Sequence, residues 1–213
     1  MLPERYRHIV VEGPIGAGKT SLARRLAALD EARLVLEAPD ENPFLERFYA
    51  DRARNGLPVQ LAFLLARAGQ ARELVQGELF SSRIVADFMF EKDPLFARIN
   101  LDEAEFHLYQ KVYEGVRPQM PPPDLVIYLQ APASVLAERV RKRGRACERG
   151  LSESYLAEVA RAYSEFFYHY QAAPLLIVNS EHLDLAANDD HFRLLVQRIV
   201  DMRGAREFFS LGV

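Results

Sequence analysis

The chain has 213 residues, 49% of them hydrophobic and 27% charged, and a net charge of −3. That balance fits one globular domain spanning 1–213; it argues against a long disordered tail, and without a basic excess no nucleic-acid partner is expected. No 18 consecutive apolar residues occur, so no membrane partner is expected, and the single Cys147 points to a reducing, cytoplasmic setting.

Five short apolar runs are predicted strands: HIVVEG (8–13), RLVLEA (33–38), RIVADF (83–88), DLVIYLQ (124–130) and LLIVNS (175–180). Each is nearly continuous rather than alternating, as expected for parallel strands covered on both faces. Helical patterns lie between them at about 19–30, 41–53, 58–79, 101–116, 133–143 and 152–171, with another near 189–202. Asn100 followed by Glu103 reads as a capping box, and Leu151, Ser152 and Leu156 read as a staple around an N-cap. MPPPD (120–124) reads as a stiff connector into a strand. Strands alternating with helices predict an α/β fold, three layers α/β/α around a five-stranded parallel sheet.

The first strand runs into GPIGAGKTS, which contains Gly13-x-x-x-x-Gly18-Lys19-Thr20, the P-loop pattern, just before a helix. Gly13, Gly16 and Gly18 let the backbone bend so that its N–H groups face an anion; Pro14, Ile15, Ala17 and Ser21 complete the turn. Lys19 is expected to reach the β- and γ-phosphates and the Thr20 hydroxyl to ligate Mg²⁺. The motif implies a nucleoside triphosphate, with ATP and Mg²⁺ as the expected cofactors. It leaves the acceptor open.

Three features bear on the acceptor. Glu37 ends the second strand run, on the side where parallel sheets bind ligands, and a carboxylate there can take a proton from a hydroxyl. PVQLAFLLARAGQ (58–70) is apolar except for polar positions at Gln60, Arg67 and its end. Gln60 and Arg67 are seven residues apart, so they share a helix face and can read the edge of a nucleobase. ERVRKRGRACER (138–149) concentrates Arg139, Arg141, Arg143, Arg145 and Arg149 around Gly144, an arrangement suited to a lid over transferring phosphate.

In these residues the chain resembles the deoxyribonucleoside kinase family, in a branch of bacterial deoxyadenosine and deoxyguanosine kinases. The resemblance rests on the ordered series Glu37, Tyr49, Gln60, Arg67, an acid after the third strand, and the arginine-rich lid at about 139–150 that contains Glu148. It implies phosphoryl transfer from ATP to a deoxyribonucleoside 5′-hydroxyl, with Glu37 as general base. Tyr49 and Glu148 would hold the 3′-hydroxyl, and Gln60 would pair with the base beside Arg67 and Asp93. Arg139, Arg143 and Arg145 would be the lid arginines. Where the family usually carries an acid-Arg-Ser triplet, this chain has Asp87-Phe88-Met89. Asp87 can still serve Mg²⁺ with Thr20, and Lys92 in DFMFEKDPLFARINL is the candidate replacement for the missing arginine. The Arg67 and Asp93 pair favours a purine. By the same resemblance the loop NSEHLDLAANDD (179–190) would lie against the ATP adenine, and the chain would form a homodimer.

Two other P-loop readings compete. A nucleoside monophosphate kinase would need a basic clamp for its acceptor, whereas LEAPDENPF (36–44) supplies acids. A regulatory GTPase would need an Asn-Lys-x-Asp element, which is absent. The five histidines show no metal-ligand spacing.

Overall fold

The computed structural model describes residues 1–77, 83–119 and 121–211. Six parallel strands form one sheet in the order β2-β3-β1-β4-β5-β6. They are β1 (His8–Glu12), β2 (Arg33–Val35), β3 (Ile84–Ala86), β4 (Leu125–Gln130), β5 (Leu175–Asn179) and β6 (Arg206–Phe209). The expected count of five is corrected to six. The added strand, REFF, sits at the sheet edge with no fully buried residue, so it lacks the apolar run that marks the others. The second strand run is also shorter than predicted, and Glu37 lies in the loop beyond β2.

The helices are α1 (Lys19–Leu29), α2 (Leu45–Ala50), α3 (Arg52–Gly77), α4 (Asp93–Asn100), α5 (Glu103–Val116), α6 (Ala133–Arg143), α7 (Glu153–His169) and α8 (Asp189–Asp201). The pattern at 41–53 resolves into a 3₁₀ turn at Pro39–Glu41, then α2 and the first residues of α3. α3 begins before Pro58, which resembled a helix start. Tertiary contacts hold its early turns. Arg52 donates to Asn100 Oδ1 at 3.2 Å and stacks on Tyr155 at 4.1 Å, and a Cβ on Gly56 would stand 2.6 Å from the Asn100 carbonyl oxygen. The predicted end of this helix at 79 and the start of the MPPPD connector fall outside the described residues.

The capping box forms two residues later than predicted. Asp102 accepts from the Glu105 N–H at 2.8 Å, and Glu105 accepts in return from Asp102. Asn100 is instead the last residue of α4, its amide engaged with Arg52 and with the Tyr155 hydroxyl. Ser152 caps α7 as expected, accepting from the Tyr155 N–H at 3.2 Å.

Alternation along the buried strands builds a core on each face of the sheet. Ile9, Val11, Ile127, Leu129, Leu176 and Val178 pack with Leu22 and Leu26 of α1, Leu136 of α6 and Leu195 and Ile199 of α8. Val10, Val126, Tyr128, Leu175 and Ile177 face Phe48 of α2, Val59 of α3 and Val159, Tyr163 and Phe167 of α7. Because all six strands run the same way, their C-terminal ends open on one side, and the loops there build the site. No helix among the described residues is long and apolar enough to cross a membrane.

Candidate active site

The chain leaves β1 at Glu12, turns through residues 13–18 and enters α1 at Lys19. Gly16 has φ 86°, and a Cβ there would lie 2.8 Å from the Leu136 carbonyl oxygen, so only glycine fits this approach to α6. Lys19 folds back on its own turn, donating to the carbonyls of Gly13 at 2.8 Å and Pro14 at 3.2 Å. Burial lowers its pKa to about 8, with Lys92 lowering it further and Glu12, Glu37 and Asp87 opposing. In the free protein the side chain is charged below that pH and loses its proton as pH rises through it. The kcat/KM for ATP-Mg²⁺ is therefore expected to fall above pH 8, because a triphosphate gains only from the ammonium form. A pH profile at limiting ATP and saturating acceptor checks this.

Asp87, just after β3, joins the phosphate turn to the acceptor side. Its Oδ2 accepts from the Thr20 hydroxyl at 2.5 Å, and its Oδ1 accepts from the Glu37 N–H at 2.7 Å. Glu37 in turn uses Oε1 for the Arg67 Nε–H at 2.7 Å and lies 3.4 Å from Lys92 Nζ. Its Oε2 makes no hydrogen bond among the described residues. Burial pushes the Glu37 pKa up, but Arg67, Lys92 and Lys19 together outweigh it and bring it to about 2. Glu37 is thus a carboxylate throughout the working pH range, with one oxygen held and the other free.

Both sets of residues line one cavity of about 440 Å³. Lys19, Thr20 and Asp87 form one wall, Glu37, Asp40 and Glu41 the next, and Gln60, Phe63 and Arg67 of α3 the third. Gln60 is 3% exposed, and its Oε1 is buried without a partner among the described residues. A buried amide oxygen left unpaired is costly, which marks a position made for a ligand donor. Tyr49 and Glu148 face the cavity from α2 and the lid; Glu148 is paired with Arg143 at 2.6 Å. Burial raises the Tyr49 pKa well above the usual phenol value, helped by Tyr155 and Glu148, so its hydroxyl stays a donor.

Lys92 and Asp93 are 2% and 0% exposed and stand behind this wall. Asp93 accepts from Arg67 and from the Tyr109 hydroxyl. Lys92 lies between Glu12 and Glu37, so its ammonium supports the acceptor carboxylate from behind. Neither residue lines the cavity itself; Asp93 reaches it through Arg67 and Lys92 through Glu37.

The lid arginines divide. Arg143 lines the acceptor cavity and also a second cavity of about 580 Å³ that contains Gly16, Ala17, Gly18 and Ser21. Arg145 lines the first, with Nε 3.9 Å from Asp40 Oδ2. Arg139 belongs to the second, where its guanidinium donates to Ser180 O at 2.5 Å and to Leu183 O at 3.4 Å. Leu183, Asp184, Leu185 and Ala186 of the loop after β5 complete that cavity.

Sequence reasoning missed the aromatic lining and Glu12. Phe63 lies three residues after Gln60 and four before Arg67, so helical spacing alone places it on the same face; Arg67 stacks on it at 4.9 Å. Phe96 faces the same cavity from α4. Glu12 is a fully buried acid ending an apolar strand, and that mismatch was its visible signal.

A phosphate-binding turn between strand and helix and an acid lining the same cavity define a P-loop enzyme that brings a nucleotide to a small acceptor. A family model described as deoxynucleoside kinase matches residues 9–202. The deoxyguanosine kinase of Bacillus subtilis (strain 168) is 28% identical over 199 residues, 91% of this chain and 96% of its own length. The deoxyadenosine kinase of Lactobacillus acidophilus is 30% identical over 194 residues, covering 84% and 88%. A structure of deoxyadenosine kinase from M. mycoides with bound dATP superposes with a TM-score of 0.77 at 25% identity, over 90% of this chain and 98% of that one. The chain belongs to the deoxynucleoside kinase family. It is an ATP-dependent kinase, a phosphotransferase acting on a deoxynucleoside.

Proposed function

We propose that residues 1–213 form one catalytic domain that moves the γ-phosphoryl of ATP to the 5′-hydroxyl of a purine deoxynucleoside, with deoxycytidine accepted. One observation carries the assignment of roles: Asp87 bonds Thr20 with one oxygen and the Glu37 backbone with the other, so the base and the phosphate turn keep a set distance. The acceptor oxygen attacks phosphorus as the bond to ADP breaks, and the hydroxyl proton passes to the free Oε2 of Glu37. Lys19, Arg143 and Arg145 offset charge on the transferring group, and Arg139 orders the loop at 180–186 beside the donor base. Tyr49 and Glu148 hold the 3′-hydroxyl.

Thr20 and Asp87 fit Mg²⁺ by chemistry, a hydroxyl and a carboxylate oxygen side by side beside the P-loop that would part from their mutual hydrogen bond to hold the ion, since Mg²⁺ takes few protein ligands besides phosphates. The ion would neutralise phosphate charge there. The purine preference is supported by Arg67, which lines the cavity and is held from behind by Asp93, and by the names of the bacterial relatives. Gln60→Ala is expected to raise the deoxynucleoside KM about 10–100-fold, the loss of one or two hydrogen bonds at about 1–1.5 kcal/mol each. The check is steady-state kinetics with deoxyadenosine and deoxyguanosine.

A homodimer is supported by Leu65 of α3 and Leu108 of α5, which are 55% and 50% exposed on neighbouring helices. The unpaired Cys147 suits a reducing cytoplasm. The deciding assay is a phosphorylation panel: ATP-Mg²⁺ with the four deoxynucleosides, their ribonucleosides and the deoxynucleoside monophosphates. Purine deoxynucleosides are expected to lead it, and a monophosphate at its head would overturn the acceptor assignment.

A further inference from the structure

Glu12 is the last residue of β1 and fully buried, and three hydrogen-bond donors and one ammonium converge on its carboxylate. Oε2 accepts from the Gly13 N–H at 3.1 Å and from the Tyr163 hydroxyl at 3.0 Å. Oε1 accepts from the Met89 N–H at 2.8 Å and lies 3.3 Å from Lys92 Nζ. These groups come from four places: the first residue of the phosphate turn, the loop after β3, the turn that leads into α4, and α7. Lys92 also lies 3.4 Å from Glu37. One anion therefore joins the start of the phosphate turn to the cation that backs the acceptor base.

We propose that Glu12 is a positioning residue for phosphoryl transfer, acting through Lys92 to fix Glu37 relative to the phosphate turn. The inference rests on the kinase reading above. A burial this complete is unfavourable for a charge unless its donors are all in place, and here each donor belongs to a segment that shapes the site. A carboxylate can accept the three hydrogen bonds and still face the ammonium. An amide in its place must turn an NH₂ toward two of these groups, either Gly13 and Tyr163 or Met89 and Lys92. The Lys92 ammonium would then have only Glu37 as an anionic partner, and would pull on the oxygen that Arg67 already holds.

The test is a double-mutant cycle on Glu12→Gln and Lys92→Met, with melting temperature, kcat and deoxynucleoside KM measured for each protein. Each single variant is expected to lower the melting temperature, since each removes one charge of a buried pair and leaves the other less compensated. The double variant is expected to regain much of that loss, because both charges are gone. Turnover is expected to behave differently. Glu12→Gln and Lys92→Met should each lower kcat about 10–100-fold with KM within threefold, and the double variant should be no slower than the slower single one. Return of kcat together with stability in the double variant would show a purely structural pair and overturn the proposal. So would independent, multiplicative losses, or a Glu12→Gln enzyme within twofold of the unaltered kcat. If Glu12→Gln does not fold, the cycle is run with Tyr163→Phe in its place, and the same two patterns of kcat decide. The unaltered protein in the same assay keeps the underlying reading separate: its failure to phosphorylate any deoxynucleoside would remove that reading itself.

Discussion

Replacing Glu37 by glutamine is expected to lower kcat by about 10²–10⁴-fold while the deoxynucleoside KM stays within a few-fold. Glutamine keeps the shape of the side chain and can still accept from the Arg67 Nε–H, so the wall of the cavity stays in place. What it lacks is a site for the hydroxyl proton. With a pKa of about 2, Glu37 is a weak base in the free protein, held there by Arg67, Lys92 and Lys19 against the upward push of burial. Its proton affinity therefore suits transfer late in the reaction, when the attacking oxygen has already bonded to phosphorus and become strongly acidic. Single-turnover phosphorylation with labelled ATP measures the step directly. A loss smaller than about tenfold would leave Glu37 an orienting group only.

Asp93→Ala is expected to produce the largest loss of stability. Arg67 is 4% exposed and is neutralised by Glu37 on one side and Asp93 on the other. Burial lowers the Arg67 pKa, but both carboxylates outweigh it, and the guanidinium stays charged. Removing Asp93 leaves that cation only Glu37, which Lys92 also shares, and strands the Tyr109 hydroxyl, whose pKa burial and Asp93 together raise. Breaking a buried pair of this kind costs about 3–5 kcal/mol, which corresponds to roughly 6–20 °C in a domain of this size. Thermal denaturation followed by circular dichroism checks it, and Asp93→Asn, which keeps an acceptor for Tyr109, is expected to lose less.

Much of this fold was legible because buried parallel strands announce themselves as apolar runs, and five of the six did so. β6 was hidden because an edge strand needs burial on neither flank, and REFF carries two charges in four residues. The P-loop was legible because glycine spacing and a following lysine reflect backbone geometry directly. Glu37, Gln60 and Arg67 were legible as polar residues in apolar surroundings. The depth of Lys92 and Asp93 was not, because a charged side chain after a strand looks the same in sequence whether it faces a ligand or another side chain. The short α4, eight residues long, was lost between a proline and a predicted helix cap for the same reason: its existence depends on contacts with α3 and α7.

The contact between Gly16 and the Leu136 carbonyl has a mechanical consequence. It seats the anion-binding turn directly on α6, against the Leu136 carbonyl and the Val140 side chain. Moving α6 as a whole would therefore disturb that turn. The helix ends at Gly144, whose φ of 67° breaks it, so the stretch beyond, which carries Arg145 and Glu148, is not braced by the contact.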